Sequence, residues 1–243
     1  MDRTDYIAAT AYVRRTCVAS AELAAAVGVP AARIEALAEA GVAPQPTYRI
    51  TGRAVVSAIG AVGEIAEGET AAAYYGPSVA PWLRRALVLA EGRGGGLKDP
   101  LLDWLAGDLA AALEARAEEA RAFGWNHVFC GAGCDPRAVR DEVAGYWDGW
   151  MRGGWAVCLV RFDGHHLATK EIERRRMARL TQEAGPRPGP ETRLALLDAM
   201  ARLDAVLLPF APHERTGGTP GLFIDEPARR FALPWPSPAR TAA

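Results

Sequence analysis

Two short runs of the 243-residue chain carry side chains suited to acid–base and anion chemistry. ATKEIERRR supplies Lys170 and Glu171, and LPFAPHER supplies His213 and Arg215. Lysine is scarce: Lys98 and Lys170 stand against 26 arginines. Where arginine is the default cation, a lysine offers an amine whose proton affinity moves with its surroundings, which a guanidinium cannot. If its helix begins near Leu167, Lys170 lies in the first turn, against the helix dipole, and asks for an anionic neighbour or ligand. That neighbour could be a carboxylate of the next helix, Asp198 or Asp204. Pro209 and Pro212 stop the preceding helix and fix His213 and Arg215 in place. There Arg can grip a carboxylate and His can move a proton, or both can bond the last helical carbonyls. Lys170, Glu171 and His213 are thus the catalytic candidates. Arg215, Asp204, Trp150 and Trp155 are the candidate substrate-binding set for a small polar or anionic metabolite. The two runs must then face each other across a shared hollow.

Other stretches compete for attention. YWDGWMRGGWAVCLV gathers Trp147, Trp150 and Trp155 around glycines. On a helix, Tyr146 and Trp150 share a face, which suits a buried aromatic collar, and a flat ligand platform is the alternative. His127, Cys130 and Cys134 form H-x-x-C-x-x-x-C, an alternative metal set that Cys158 or the His165-His166 pair could complete. Its spacing fits no established zinc pattern, so no metal is expected, and free cysteines often serve as small buried hydrophobes. EGRGGGLKD lacks the G-K-[ST] ending of a phosphate loop, and no dinucleotide or nucleophile-elbow motif occurs. No cofactor is identified.

The elements that must position these groups read as helix after helix, with alternating β-branched runs nearly absent. Helices are expected over 5–15, over a pair within 20–41 broken at Gly28, and over 54–67 and 79–91. Further helices are expected over 100–123, 136–152, 167–183 and 190–208. Leu101, Leu105, Leu109 and Leu113 keep one face of the 100–123 helix apolar, and Asp135 caps the helix that Pro136 opens. WNHVFCGAGCDP reads as a loop, WAVCLVRF as a short buried strand or extended link, EGRGGG as a break and LPWPSPARTAA as a frayed tail. The expected fold is mainly α, a small N-terminal helix-turn-helix-like unit (1–50) packed on a larger irregular helical bundle (51–232), followed by a Pro-rich tail (233–243).

Composition bounds the partners. Half of the residues are hydrophobic, 23% are charged and the net charge is −1. A sizeable core is available, and the basic surplus usual for wrapping nucleic acid is missing. Across Ser20–Gly41 one arginine, Arg33, faces Glu22, Glu35 and Glu39. The helix pair and the YRI that follows it have the outline of a MerR-like regulator, but this charge opposes phosphate contact, so nucleic acid is not the expected partner. A ligand-sensing regulator is the alternative to an enzyme. The acidic start MDRTDYIAAT lacks the order of a secretory signal, no apolar run reaches membrane-span length, and four cysteines fit free thiols. A cytoplasmic protein is expected, with no membrane association and a possible homodimer.

A resemblance joins these features. WMRGGWAVCL at Trp150–Leu159, T-K-E at Thr169–Glu171 and F-A-P-H-E-R at Phe210–Arg215 resemble the bacterial family called domain of unknown function six-zero-five-eight, commonly labelled natural-product biosynthesis proteins. RLALLDAMARLDAVLLPFAPHER, LFIDEPARRF and the front-end SAELAAAVGVPAARIEALAEAGVAPQPTYRI are similar to that family as well. The resemblance implies a role in the secondary metabolism of an actinobacterium-like organism and carries over no reaction, cofactor or catalytic residue. TGGTPGLF, Thr216–Phe223, departs from the serine-arginine turn at that point of the family.

Overall fold

A computed structural model describes residues 3–91 and 96–236. The fold is mainly α. The EGRGGG break and the end of the Pro-rich tail fall largely outside the described residues. The chain opens with α1 (Arg3–Thr16), β1 (Val18–Ala19), α2 (Ser20–Val27) and α3 (Ala31–Glu39). Gly28 joins α2 to α3 at φ +74°, a left-handed corner that glycine enters without a side-chain clash. Leu23, Ile34 and Leu37 are buried as their spacing requires.

The expected helix over 54–67 is not formed. Its place is taken by β3 (Val55–Ser57) and β4 (Ala61–Val62), which follow β2 (Tyr48–Ile50) and precede β5 (Ala72–Tyr75). The sheet runs β1-β5-β2-β3-β4, with every pairing antiparallel. Val55 and Val56 favour the pleat. A turn closes between Ser57 and Gly60 (2.8 Å), and Gly63 at φ +76° ends any helical course. Because β1 and β2 pair with β5, a boundary at residue 50 cuts this sheet. The N-terminal unit therefore runs on to Tyr75.

The larger body comprises α4 (Val79–Ala90), α5 (Lys98–Glu114), α6 (Ala117–Ala120), a hairpin of β6 (Phe129–Cys130) and β7 (Gly133–Cys134), and α7 (Pro136–Met151). Then come α8 (Gly154–Cys158), α9 (Gly164–Glu183), α10 (Pro190–Val206), α11 (Pro212–Arg215) and α12 (Glu226–Arg230). The long helix expected to reach Phe123 stops at Glu114, because Arg116 leaves helical geometry and turns its guanidinium to Glu119 (2.7 Å) and the interior carboxylate Glu173. WNHVFCGAGCDP folds partly as the β6–β7 hairpin, and WAVCLVRF folds as α8 before Leu159 bridges Leu207.

Two cores hold the molecule together. The larger one centres on Trp82, whose ring meets those of Trp104, Trp147, Trp150 and Phe162 edge-on. Leu101, Leu105, Leu109 and Leu113 enter it from α5, and Leu23, Ile34 and Leu37 from the N-terminal helix pair. The second core packs Tyr12 and Val13 of α1 and Tyr48 and Val55 of the sheet against Phe210 and Ala211. The N-terminal unit is thereby seated on the bundle by burial of apolar surface on both sides.

Candidate functional site

The Trp155 ring lies at the centre of the most unusual polar arrangement. Gly153, at φ +82°, packs its Cα against the carbonyls of Gln45 and Pro46 and lets the chain turn from α7 into α8. On α8, the Trp155 indole rests against Gly149, where a β-carbon would meet Nε1 at 2.8 Å, and Tyr146 meets its ring edge-on at 5.2 Å. Lys170 covers its face, with Nζ 3.9 Å from the ring centroid. Helix α9 is held in place from below: Gly164 N–H donates to Asp108 (2.6 Å), and Asp163 caps the first turn through His166 N–H (2.9 Å). Because α9 begins at Gly164, Lys170 sits beyond its first turn, and the expected opposition to the helix dipole does not arise.

Burial takes that place. Lys170 is 6% exposed, yet among the described residues its ammonium has no hydrogen-bond and no ion-pair partner. Both carboxylates proposed as its neighbour are elsewhere. Asp198 pairs with Arg176 (2.8 Å) and Arg202 (3.2 Å), and Asp204 is on the exposed side of α10 within the fields of Arg215 and Asp225. Glu171 turns along its own helix to Arg174 (2.8 Å). Removal from water lowers the Lys170 pKa, and Arg174 adds to this; Cys158 and Glu171 oppose it. Cys158, at the end of α8, has its own thiol pushed up by burial, an effect that Lys170 opposes and Glu214 and Glu171 reinforce.

The Pro-braced corner is built differently. Phe210 holds φ +65°, an uncommon conformation for a bulky residue, with its ring closed over by Gly218. The following turn sends Glu214 inward, where Tyr48 Oη donates to it at 2.7 Å and Ser57 Oγ through a short hydrogen bond. Gly60 also packs against this side chain, leaving no room for a β-carbon. Burial raises the Tyr48 phenol and pushes Cys17 up to about 12, with the Glu214 charge adding to each. His213 Nε2 lies 3.7 Å from Glu214, and neither ring nitrogen is hydrogen-bonded. Burial lowers the His213 pKa, against the pull of Glu214 and Asp5.

Arg215 points to neither group. Its guanidinium grips Asp225 through two bonds (2.7 and 2.8 Å) and the Pro209 carbonyl at 2.7 Å. The expected hollow shared by Lys170 and Arg215 is therefore not formed: one cation lies on Trp155 and the other is spent on Asp225. Trp150 is part of the core, fully buried and stacked on Phe162 at 4.1 Å, so it lines no ligand surface. Of the candidate set, Lys170, Glu171 and Trp155 come together, His213 stands in the Glu214 corner, and Asp204 stays with Arg215.

The alternative metal set is dispersed by the β6–β7 hairpin. Phe129 pairs with Cys134 and Cys130 with Gly133, so the two cysteines occupy successive rungs and opposite faces. His127 is bonded to Glu142 at 2.7 Å, and no trio of metal-ligating side chains clusters among the described residues. Sequence reasoning passed over Glu214, Tyr48 and Ser57, and considered Cys158 only as a completing metal ligand. Glu214 lay between two chosen residues, but which of the three side chains points inward depends on the Phe210 turn.

Comparison with known proteins adds a frame without a reaction. A family model described as a family of unknown function (DUF6058) matches residues 110–232. No curated protein and no solved structure matches the chain. Among the described residues no helix is long and apolar enough to cross a membrane. The chain belongs to that family of unknown function, and its match takes in Trp155, Lys170 and Glu214 while leaving out the N-terminal sheet.

Proposed function

We propose that this member of the family acts in secondary-metabolite biosynthesis, as an enzyme or accessory protein on a small anionic metabolite bound at Lys170. One observation carries the reading: a buried lysine whose ammonium lies on the Trp155 ring with no hydrogen-bond or ion-pair partner among the described residues, its neighbour Glu171 being turned to Arg174. Proteins pair the charges they bury, because an unpaired one is strongly disfavoured. A ligand carboxylate or phosphate completes such a site, and perturbed titrating groups gather where chemistry is done. Trp155 offers a flat apolar wall for the ligand body. Lys170 holds the anion when charged and accepts a proton when neutral, and burial shifts its balance toward the neutral form. Glu171, steadied by Arg174, is the adjacent carboxylate for proton exchange. The biosynthetic setting rests on the resemblance of the Trp155, Lys170 and Glu214 segments to proteins so labelled.

The test is native mass spectrometry of wild type and Lys170→Met, each produced in the native host. Wild type is expected to retain a small anionic molecule that Lys170→Met lacks, while both melt at similar or higher temperature. Identical spectra, or a variant that fails to fold, would overturn the reading.

A further inference from the structure

A second feature, independent of Lys170, lies where the N-terminal sheet meets the bundle. There an open cleft of about 670 Å³ runs between β2 and β3 on one side and the α7–α8 corner on the other. Arg49 reaches it from β2, and Arg152 from the end of α7. No acidic residue lines it. Among the described residues Arg152 makes no side-chain hydrogen bond or ion pair, and Arg49 has only a long bond to Gln45 at 3.4 Å. This sets both apart from five arginines of the helical body. Arg116, Arg174, Arg176, Arg202 and Arg215 are each committed to a carboxylate.

The walls complete the description. Ile59 is 47% exposed and supplies an apolar side, while Gly149 and Gly154 supply a floor without side chains. The Glu214 carboxylate faces away: Ser57, a lining residue, directs its hydroxyl inward to Glu214, whose side chain is wholly buried. Two uncommitted guanidinium forks, an apolar flank and a bare backbone floor are what a small amphipathic anion requires.

We propose that this cleft is a binding site for a small molecule bearing a phosphate or carboxylate on an apolar body. Arg49 and Arg152 clamp the anionic group, and Ile59 covers the apolar portion. The site joins the N-terminal sheet to the family-matched region, so its occupancy ties the two parts together.

Isothermal titration of the full chain at low salt, with phenyl phosphate and benzoate as probes, tests this. At least one probe is expected to bind saturably and more tightly than inorganic phosphate or phenol. Arg49→Gln and Arg152→Gln, both exposed positions, should each weaken it roughly tenfold or more without changing the melting temperature, as lost charged hydrogen bonds do. Lys170→Met should leave this binding unchanged, which separates the cleft from the Lys170 site. The proposal is overturned by absence of saturable binding, by insensitivity to both arginine variants, or by loss of binding in Lys170→Met. Displacement of the probe by short duplex DNA with the same arginine dependence would equally overturn it, assigning the surface to nucleic acid.

Discussion

Glu214 and Lys170 are both charged groups taken out of water, and the protein treats them in opposite ways. Around Glu214 two hydroxyls from two different strands converge, and a glycine clears space for its methylenes. The same is true of Glu173, three residues beyond Lys170 on α9, which Arg116 and Arg176 neutralise. Lys170 receives the face of an indole and no hydrogen bond or ion pair among the described residues. A chain able to place two guanidiniums beside Glu173 pairs no acid with the amine one turn away, and turns the neighbouring Glu171 to Arg174 instead. Satisfied interior charge fastens elements together, whereas unsatisfied interior charge stores an interaction for something that arrives later. Glu214 is thus the joint between the N-terminal sheet and the bundle, and Lys170 is the proposed site.

The contrast breaks most readily at Glu214. Glu214→Leu leaves the hydroxyls of Tyr48 and Ser57 without their acceptor in the interior, at a cost of roughly 2–4 kcal/mol. The urea midpoint should fall accordingly at constant slope. Lys170→Met should move the other way, raising stability by on the order of 1 kcal/mol, as removal of a functional strain commonly does. That gain has a pH signature. The folded amine loses its proton below its ordinary value of 10.5, so the folded chain is relieved of the buried charge as pH rises. The advantage of Lys170→Met should shrink toward alkaline pH. A variant that loses stability as Glu214→Leu does would make Lys170 a structural residue.

The smallest effect belongs to His213. Burial holds its imidazole below 6.5, so on acidification the unfolded chain takes the proton first. Its contribution is intact above that pH and is lost as pH falls through the folded value. Comparing urea midpoints at pH 7 and pH 5, wild type should lose more stability than His213→Gln. Equal losses would show that the imidazole meets no desolvation in the corner.

Much of this frame was legible from residue order, because local signals govern it. The leucine ladder from Leu101 to Leu113 fixed the buried face of α5, and Asp135 with Pro136 marked the start of α7, where Asp135 accepts from Arg137 and Ala138 N–H. Alanine-rich composition hid the β3–β4 hairpin, although Gly60 and Gly63 fall inside the expected helix and Gly52 and Gly68 flank it. The break after α5 was hidden for another reason: its cause, Glu173, lies on a distant helix. The same limit applied to the site. Lysine scarcity pointed to Lys170, but its isolation depends on Asp198 having been taken by Arg176 and Arg202, and Glu171 by Arg174. The Arg49–Arg152 cleft joins two segments that nothing in their spacing connects.

Because Lys98 and Lys170 are the chain's two lysines, selective labelling isolates the central claim. In protein carrying ¹³Cε-lysine, two NMR signals should appear, assigned by Lys98→Arg. The Lys170 signal should be shifted by the Trp155 ring and should titrate below the ordinary lysine range of about 10.4. If it titrates within that range, without a ring-current shift, the amine is solvated and the account of an unpartnered interior cation is contradicted.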